Sequence, residues 1–397
     1  MAEAWTRLFS LDLPRRQSAF LWGARKTGKS TLLRTAFPHS LTYDFLKTDL
    51  ALSFGARPAL LREQLLARSA AELDRPIILD EVQKVPGVLD EVHWLIEHRG
   101  LRFILCGSSA RKLKRGRANL LGGRAWRFEM FPLVTAEFPA ADGLHGRFDL
   151  LRALNHGLLP SHYLSSHPRR SLEAYVRDYL KEEVFDEGLT RNVPAFSRFF
   201  EAVGYSHGEL VNYANIARDC GVDAKTVKEY FQILCDTLLG RLVPPYKKRQ
   251  ERQVISKAPK FYLFDVGVAG ALTKRHLAEP RGEQFGRALE HLVFMELAAH
   301  ASYRELGYDI CFWRTKAGAE VDFVLGRGEV AIEVKGTSRV DDRDLRSLAL
   351  FRETHRPRLA VVVCNEPEER VVAGVRILPW RLFFEELWNG RIMGGCP

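Results

Sequence analysis

Residues 17–22 read QSAFLW and residues 23–31 read GARKTGKST. The first stretch is a short apolar run bounded by a glycine, the pattern of a buried strand. The second follows G-x-x-x-x-G-K-[ST] without a mismatch, and STLLRTAF after it begins like a helix. Strand, glycine loop and helix N-terminus in that order make a phosphate cradle, because the glycines let backbone amides curl around phosphate oxygens. On this reading Gly23, Ala24, Arg25, Lys26, Thr27, Gly28, Lys29, Ser30 and Thr31 surround the polyphosphate of ATP. Lys29 reaches the β and γ phosphates, and Ser30 ligates Mg²⁺.

Working outward, residues 76–79 (PIIL) form a second buried strand that ends in Asp80 and Glu81. Residues 88–97 carry helical spacing, and residues 102–106 (RFILC) form a third strand running into Gly107-Ser108-Ser109. Residues 124–133 read as a further strand. Strands alternating with helices predict a parallel α/β sheet. An acidic pair closing a strand beside a phosphate loop fits Asp80 holding Mg²⁺, directly or through water, with Glu81 polarising the attacking water. Ser108 either contacts the γ-phosphate or that water, or simply makes a turn. Arg124 either stabilises transition-state charge on a neighbouring subunit's nucleotide or is a surface arginine.

The chain has 397 residues, 59 Lys+Arg against 49 Asp+Glu, and a net charge of +10; 46% of it is hydrophobic and 27% charged. That excludes a disordered tail, a collagen-like fibre and a disulfide miniprotein, and the length predicts two to three domains. The six cysteines show no C-x-x-C spacing, so they read as buried reduced thiols. Glu3, Asp12, Arg15 and Arg16 interrupt any signal pattern, and no apolar run reaches the roughly 18 residues of a membrane span. The expectation is a cytoplasmic protein with no membrane partner. The positive excess suits a polyanionic partner or solubility alone.

Between Glu97 and Glu129 the charged side chains are basic apart from His98, and Arg111, Lys112, Lys114 and Arg115 cluster after Ser109. They suit a DNA phosphate face or a solvated helix. Residues 212–239 (NYANIARDCGVDAKTVKEYFQILCDTLL) read as helix, turn at Gly221, and second helix, with an extended pair behind them. This is the order of a winged helix-turn-helix. Lys225, Thr226 and Lys228 on the second helix, and Lys247, Lys248 and Arg249 on the wing, would then meet DNA. The alternative is a protein-docking module.

Near the C-terminus, residues 285–299 suggest an amphipathic helix followed by strands at 308–313, 319–325, 329–335 and 359–364, with a helix at 341–353. Alternation puts Glu320 and Asp322 on one face of a strand, and Glu333 and Lys335 on one face of the next. Adjacent strands would gather Asp322, Glu333 and Lys335, with Glu290 completing the set. Carboxylates so placed hold Mg²⁺ against a phosphodiester, and the lysine orients water. The set looks like a PD-(D/E)xK nuclease core, active or retained only for DNA binding or assembly.

The segments GARKTGKST, IILDEV, CGSSARKL, LLGGRA and FPLVTAEF, then YVRDYLKEEV, VKEYFQILCDTLL, PKFYLFDVGVAG and RTKAGAEVDFVL…AIEVK, span nearly the whole chain. In order, they resemble the AAA+-like ATPases of archaea and bacteria, where an ATPase domain precedes a winged helix and a nuclease-like domain. The resemblance implies residues 1–140 as the ATPase domain, 141–204 as a helical lid, 205–275 as the winged helix and 276–397 as a second α/β, restriction-endonuclease-like domain. It also implies ATP and Mg²⁺ as cofactors and a homo-oligomer, up to a hexameric ring, that remodels or translocates on duplex or branched DNA, as in Holliday-junction branch migration. The alternatives are an ATP-gated Mg²⁺-dependent nuclease and an ATP-switched DNA-binding regulator or docking module.

Overall fold

The apolar runs become strands of two separate large sheets in this computed structural model, which describes residues 5–109, 121–138, 148–179, 192–247 and 258–394. Arg111, Lys112, Lys114, Arg115, Lys248, Arg249 and the stretches 141–147 and 180–191 of the expected helical lid lie outside the described residues. The chain divides into a first unit, Met1–Pro132 with Asp236–Leu239, and a second, Leu133–Cys235 with Gly240–Pro397.

The first unit is built on five strands: β1 (Ser18–Trp22), β2 (Thr42–Asp44), β3 (Ile77–Asp80), β4 (Phe103–Gly107) and β5 (Ala125–Glu129). Their order is β2-β3-β4-β1-β5, every pairing parallel. β1, β3 and β4 are buried along their whole length, which is why they read as continuous apolar runs without alternation. Phe20, Leu79 and Leu105 pack with Val88, Val92 and Leu95 of helix Val88–Arg99. In a parallel sheet all strands end at the same edge. The register Leu21↔Cys106, Trp22↔Gly107 and Leu79↔Leu105 therefore sets Gly23 beside Ser108 and Asp80 beside Cys106, all at the edge where the strands stop. β5 is shorter than the 124–133 expected, because Met130 and the residues after it leave the sheet.

The second unit begins with helices including Leu150–His156, Pro168–Ala174 and Val193–Ser206. Helices Tyr213–Cys220 and Ala224–Asp236 follow, joined at Gly221, whose φ of 66° closes the first of them. β6 (Gly240–Val243) and β7 (Lys260–Leu263) then pair antiparallel. Further along, β8 (Ile310–Arg314), β9 (Glu320–Leu325), β10 (Val330–Val334), β11 (Leu359–Cys364), β12 (Arg370–Val372) and β13 (Val375–Pro379) form a mixed sheet ordered β12-β13-β11-β10-β9-β8.

The helix expected to be amphipathic over 285–299 runs from Glu283 to Tyr303 and is buried without a break from His291 to His300. It is a central helix, touching β10, helix Val266–Leu272 and helix Trp380–Trp388. Its polar positions His291, Glu296 and His300 are interior rather than solvent-facing. No helix among the described residues is long and apolar enough to cross a membrane.

Candidate functional site

The loop after β1 has the backbone a phosphate cradle requires. Lys26 and Gly28 take left-handed conformations, with φ of 65° and 99°. A side chain at Gly23 would put a Cβ 2.6 Å from the Met130 carbonyl oxygen, so that position admits only glycine. Thr27 donates its hydroxyl to the Ala24 carbonyl at 2.8 Å. Arg7 braces the loop from outside, donating to the carbonyls of Thr27 and Phe131. Lys29 is buried at the start of helix Lys29–Ala36, and its Nζ donates to the carbonyls of Gly23 at 2.6 Å and Ala24 at 3.1 Å. Both acceptors are neutral carbonyls. Ala24 is buried, Arg25 half-buried, and Lys26, Ser30 and Thr31 exposed.

Ser30 donates its hydroxyl to Asp80 Oδ2 at 2.7 Å, so the residue expected to ligate Mg²⁺ and the acid expected to join it are already in contact. Glu81 follows with φ of 55°, a left-handed conformation unfavourable for a side-chain-bearing residue. The Glu81 amide donates to Asp80 Oδ1 at 3.0 Å, which fixes the turn. Gln83 Nε2 donates to Glu81 Oε2 at 2.6 Å and to Ser108 Oγ at 3.1 Å. Gln83 therefore joins the ends of β3 and β4, and it is 2% exposed. Sequence reasoning missed it; its one signal is a polar side chain between Val82 and Val85 just past the acidic pair. Arg124 is half exposed and held by Glu97, an ion pair at the surface.

A second cluster of charge lies in the C-terminal part of the second unit. Gly286 on the central helix meets Gly336 just after β10 so closely that a Cβ at 336 would lie 2.7 Å from the Gly286 Cα. That approach brings Glu290, one turn further on, against the strands. The antiparallel register of β9 and β10 runs Val324 to Ala331 and Phe323 to Ile332, which continues to Asp322 beside Glu333. The Val334 amide donates to Asp322 Oδ2 at 2.8 Å, and Lys335 donates to Glu333 Oε1 at 2.6 Å. Glu290, Asp322 and Lys335 line a cleft of about 520 Å³.

The expected set of Glu290, Asp322 and Glu333 has a further charged group among it. Lys260, at the start of β7 and 4% exposed, extends its Nζ into the carboxylates. It lies 2.5 Å from Glu320, 3.4 Å from Glu290 and 3.8 Å from Asp322. Tyr262 donates its hydroxyl to Glu290, and Arg314 takes the other oxygen of Glu320 at 3.1 Å. Among the described residues, no group of three or more His, Cys, Asp or Glu side chains is arranged to hold a metal ion. Burial raises the Asp322 carboxyl; burial, then the Asp322 charge, raises those of Glu290 and Glu333. Burial opposes the Lys260 charge, but Glu290, Asp322 and Glu320 outweigh it and hold the ammonium above its usual range.

Of the residues expected to meet DNA, Lys225 and Lys228 are exposed on the first turns of helix Ala224–Asp236, and Lys247 is exposed beyond β6. Thr226 is otherwise engaged: its amide and hydroxyl both donate to Asp223, at 2.7 and 3.2 Å, capping that helix.

Residues 15–139 match the model of a family described as an AAA domain. Residues 147–279 and 285–383 each match a domain of unknown function, DUF8612 and DUF4143 respectively. An uncharacterized protein of Mycobacterium tuberculosis is 27% identical over 373 residues, 89% of this chain and 78% of its own length. Another, from Haemophilus influenzae, is 22% identical over 377 residues, 90% of this chain and 91% of its own length. Among solved structures, a Walker-type ATPase of Pyrococcus abyssi overlaps 64% of this chain and 90% of its own, at 13% identity and a TM-score of 0.41. The Aeropyrum pernix ORC1 protein in complex with DNA overlaps 66% and 87%, at 15% identity and a TM-score of 0.23. The AAA match and the parallel sheet with its phosphate loop together make the first unit an AAA-type P-loop ATPase fold.

Proposed function

We propose that the chain hydrolyses ATP and uses the energy to act on DNA. The observation that carries the first half is the contact of Ser30 with Asp80 beside the buried Lys29, at the end of a parallel sheet whose sequence matches an AAA domain. Ser30 and Asp80 have the hard oxygen chemistry of a Mg²⁺ site, and Gly23 to Thr31 would bind the polyphosphate. When bound, the ion neutralises charge that builds on the phosphate oxygens during transfer. Lys29 would exchange its two carbonyl acceptors for phosphate oxygens. Glu81 would orient the attacking water and take its proton, aimed by Gln83, which also fixes Ser108. Arg124 would leave Glu97 to reach a neighbouring subunit's nucleotide, which makes the active form a homo-oligomer, up to a hexameric ring.

The DNA half rests on the exposed Lys225 and Lys228 at the start of the second helix of a helix-turn-helix with a following hairpin. Read as a winged helix, this element would grip duplex or branched DNA while the ATPase cycle moves or remodels it. The test is ATP turnover of the full chain with and without single-stranded, duplex and four-way-junction DNA, alongside binding at several salt concentrations. The expected result is turnover stimulated by DNA. Absence of turnover overturns the first half, and turnover indifferent to every DNA, with no binding at moderate salt, overturns the second.

A further inference from the structure

The C-terminal carboxylates look like a place for a divalent ion, and their surroundings argue otherwise. A magnesium-type site needs about six oxygen donors at about 2.1 Å, several of them water. Here several of the oxygens are already engaged. Glu320 takes Lys260 on one oxygen and Arg314 on the other. Glu290 accepts from Tyr262 and Lys260 on the same oxygen, Oε1, and Asp322 from the Val334 amide on Oδ2, its Oδ1 lying 3.8 Å from Lys260. Glu333 takes Lys335 on Oε1 and keeps only Oε2 unpaired. An ammonium in van der Waals range of three carboxylates repels a second cation in the same space.

Lys260 is not a side chain that has wandered in. Its backbone pairs with Val243 across the β6–β7 hairpin and forms a bridge to Leu210 on the other side. Its Nζ lies 5.7 Å from the centre of the Phe312 ring. It comes from the hairpin that follows the helix-turn-helix, while its carboxylate partners belong to the central helix and to β9. The charges therefore reinforce a junction at which the backbone just past β6 already bonds β8, Phe312 donating to the Pro244 carbonyl at 3.1 Å and Tyr246 to the Phe312 carbonyl at 2.6 Å.

We infer that Lys260 is the resident cation of this acidic cluster, standing where a nuclease would carry a divalent ion, and that the cluster latches the helix-turn-helix hairpin to the C-terminal sheet. The residues of a metal-dependent nuclease are present, but their charge is spent on the protein's own lysine. The inference is independent of whether the first unit hydrolyses ATP.

The experiment uses the full-length chain without nucleotide and follows Mn²⁺ uptake by titration calorimetry and by the electron-spin signal of free Mn²⁺. In the wild type, Asp322→Asn should leave the uptake isotherm unchanged. Lys260→Met should gain about one Mn²⁺ per chain, together with a rise in Tm on adding Mn²⁺, and adding Asp322→Asn should remove both. If the wild type binds Mn²⁺ and Asp322→Asn abolishes that binding, the inference is wrong. It is equally wrong if folded Lys260→Met takes up no more Mn²⁺ than the wild type. Should Lys260→Met fail to fold, the comparison of wild type with Asp322→Asn still decides.

Discussion

Each half of the molecule brings a buried lysine beside carboxylates, and the two arrangements are opposites. In the phosphate loop, Lys29 donates to the backbone carbonyls of Gly23 and Ala24, and Asp80 accepts from the Ser30 hydroxyl. In the acidic cluster, Lys260 is surrounded by Glu290, Glu320 and Asp322. The first site meets its lysine with neutral, displaceable carbonyls, the arrangement that the proposed ATP and Mg²⁺ site needs. The second satisfies its charges internally and so stabilises a fold. A buried lysine in an acidic setting is thus no mark of a ligand site by itself; what matters is whether its partners are neutral and displaceable or charged and fixed.

The contrast breaks most sharply at the two lysines. Lys29→Ala removes the cation awaiting phosphate, and ATP turnover should fall at least about a thousandfold with little change in Tm. Comparable Tm with retained turnover would mean that the loop does not bind nucleotide as argued. Lys260→Ala should do the reverse. Leaving the cluster without its cation costs about 3–5 kcal/mol of folding stability, readable as a lower denaturant midpoint, while nucleotide affinity stays unchanged. A neutral result there would mean that the cluster admits water or ions freely and is no latch.

Glu81→Gln should slow turnover by about a hundredfold while bound ATP is retained, because the positioned base is lost and the phosphate contacts are kept. Gln83→Ala is expected to cost about tenfold in kcat with KM nearly unchanged, since it aims Glu81 and Ser108 and makes no proposed contact with the nucleotide. If Gln83→Ala instead raises KM alone, the bridge between β3 and β4 serves binding rather than the aiming of a water.

These two sites also differ in how far the sequence discloses them. The phosphate loop lies within nine consecutive residues, and its geometry follows from local spacing, so Gly23 to Thr31 were legible in full. Asp80 and Glu81 were legible because an acidic pair ends a buried apolar run. Gln83 was not, since its role depends on the end of β3 meeting the end of β4, a matter of sheet register. Lys260 was not, since it meets residues 30 and more positions away through tertiary packing alone. The strands β2 and β12, three residues each, fall below the length at which alternation declares itself. The central helix was mistaken for an amphipathic one because its interior polar residues mimic a solvent face; they point to buried partners instead.

One of those partners supplies the smallest predicted effect. Glu296 is 1% exposed and accepts from the Thr135 amide at 2.8 Å, the Thr135 hydroxyl at 2.9 Å and Trp388 Nε1 at 2.6 Å. Burial pushes its carboxyl up to about 7, the three donors holding back part of the rise. Below the ordinary value of 4.5 the group is protonated whether the chain is folded or not, so it contributes no slope. Between 4.5 and about 7 the folded chain keeps a proton that the unfolded chain releases, and stability declines as pH rises through that window. Near pH 6 the slope from this one group is at most about 1.4 kcal/mol per pH unit. Glu290, Asp322 and Glu333, also raised by burial, tilt the curve the same way, so the wild-type profile alone does not isolate Glu296. The difference between wild type and Glu296→Gln does: denaturant midpoints measured from pH 5 to 7.5 should fall less steeply in the variant. Parallel profiles would mean that the three donors hold Glu296 ionised throughout and that burial loses the contest.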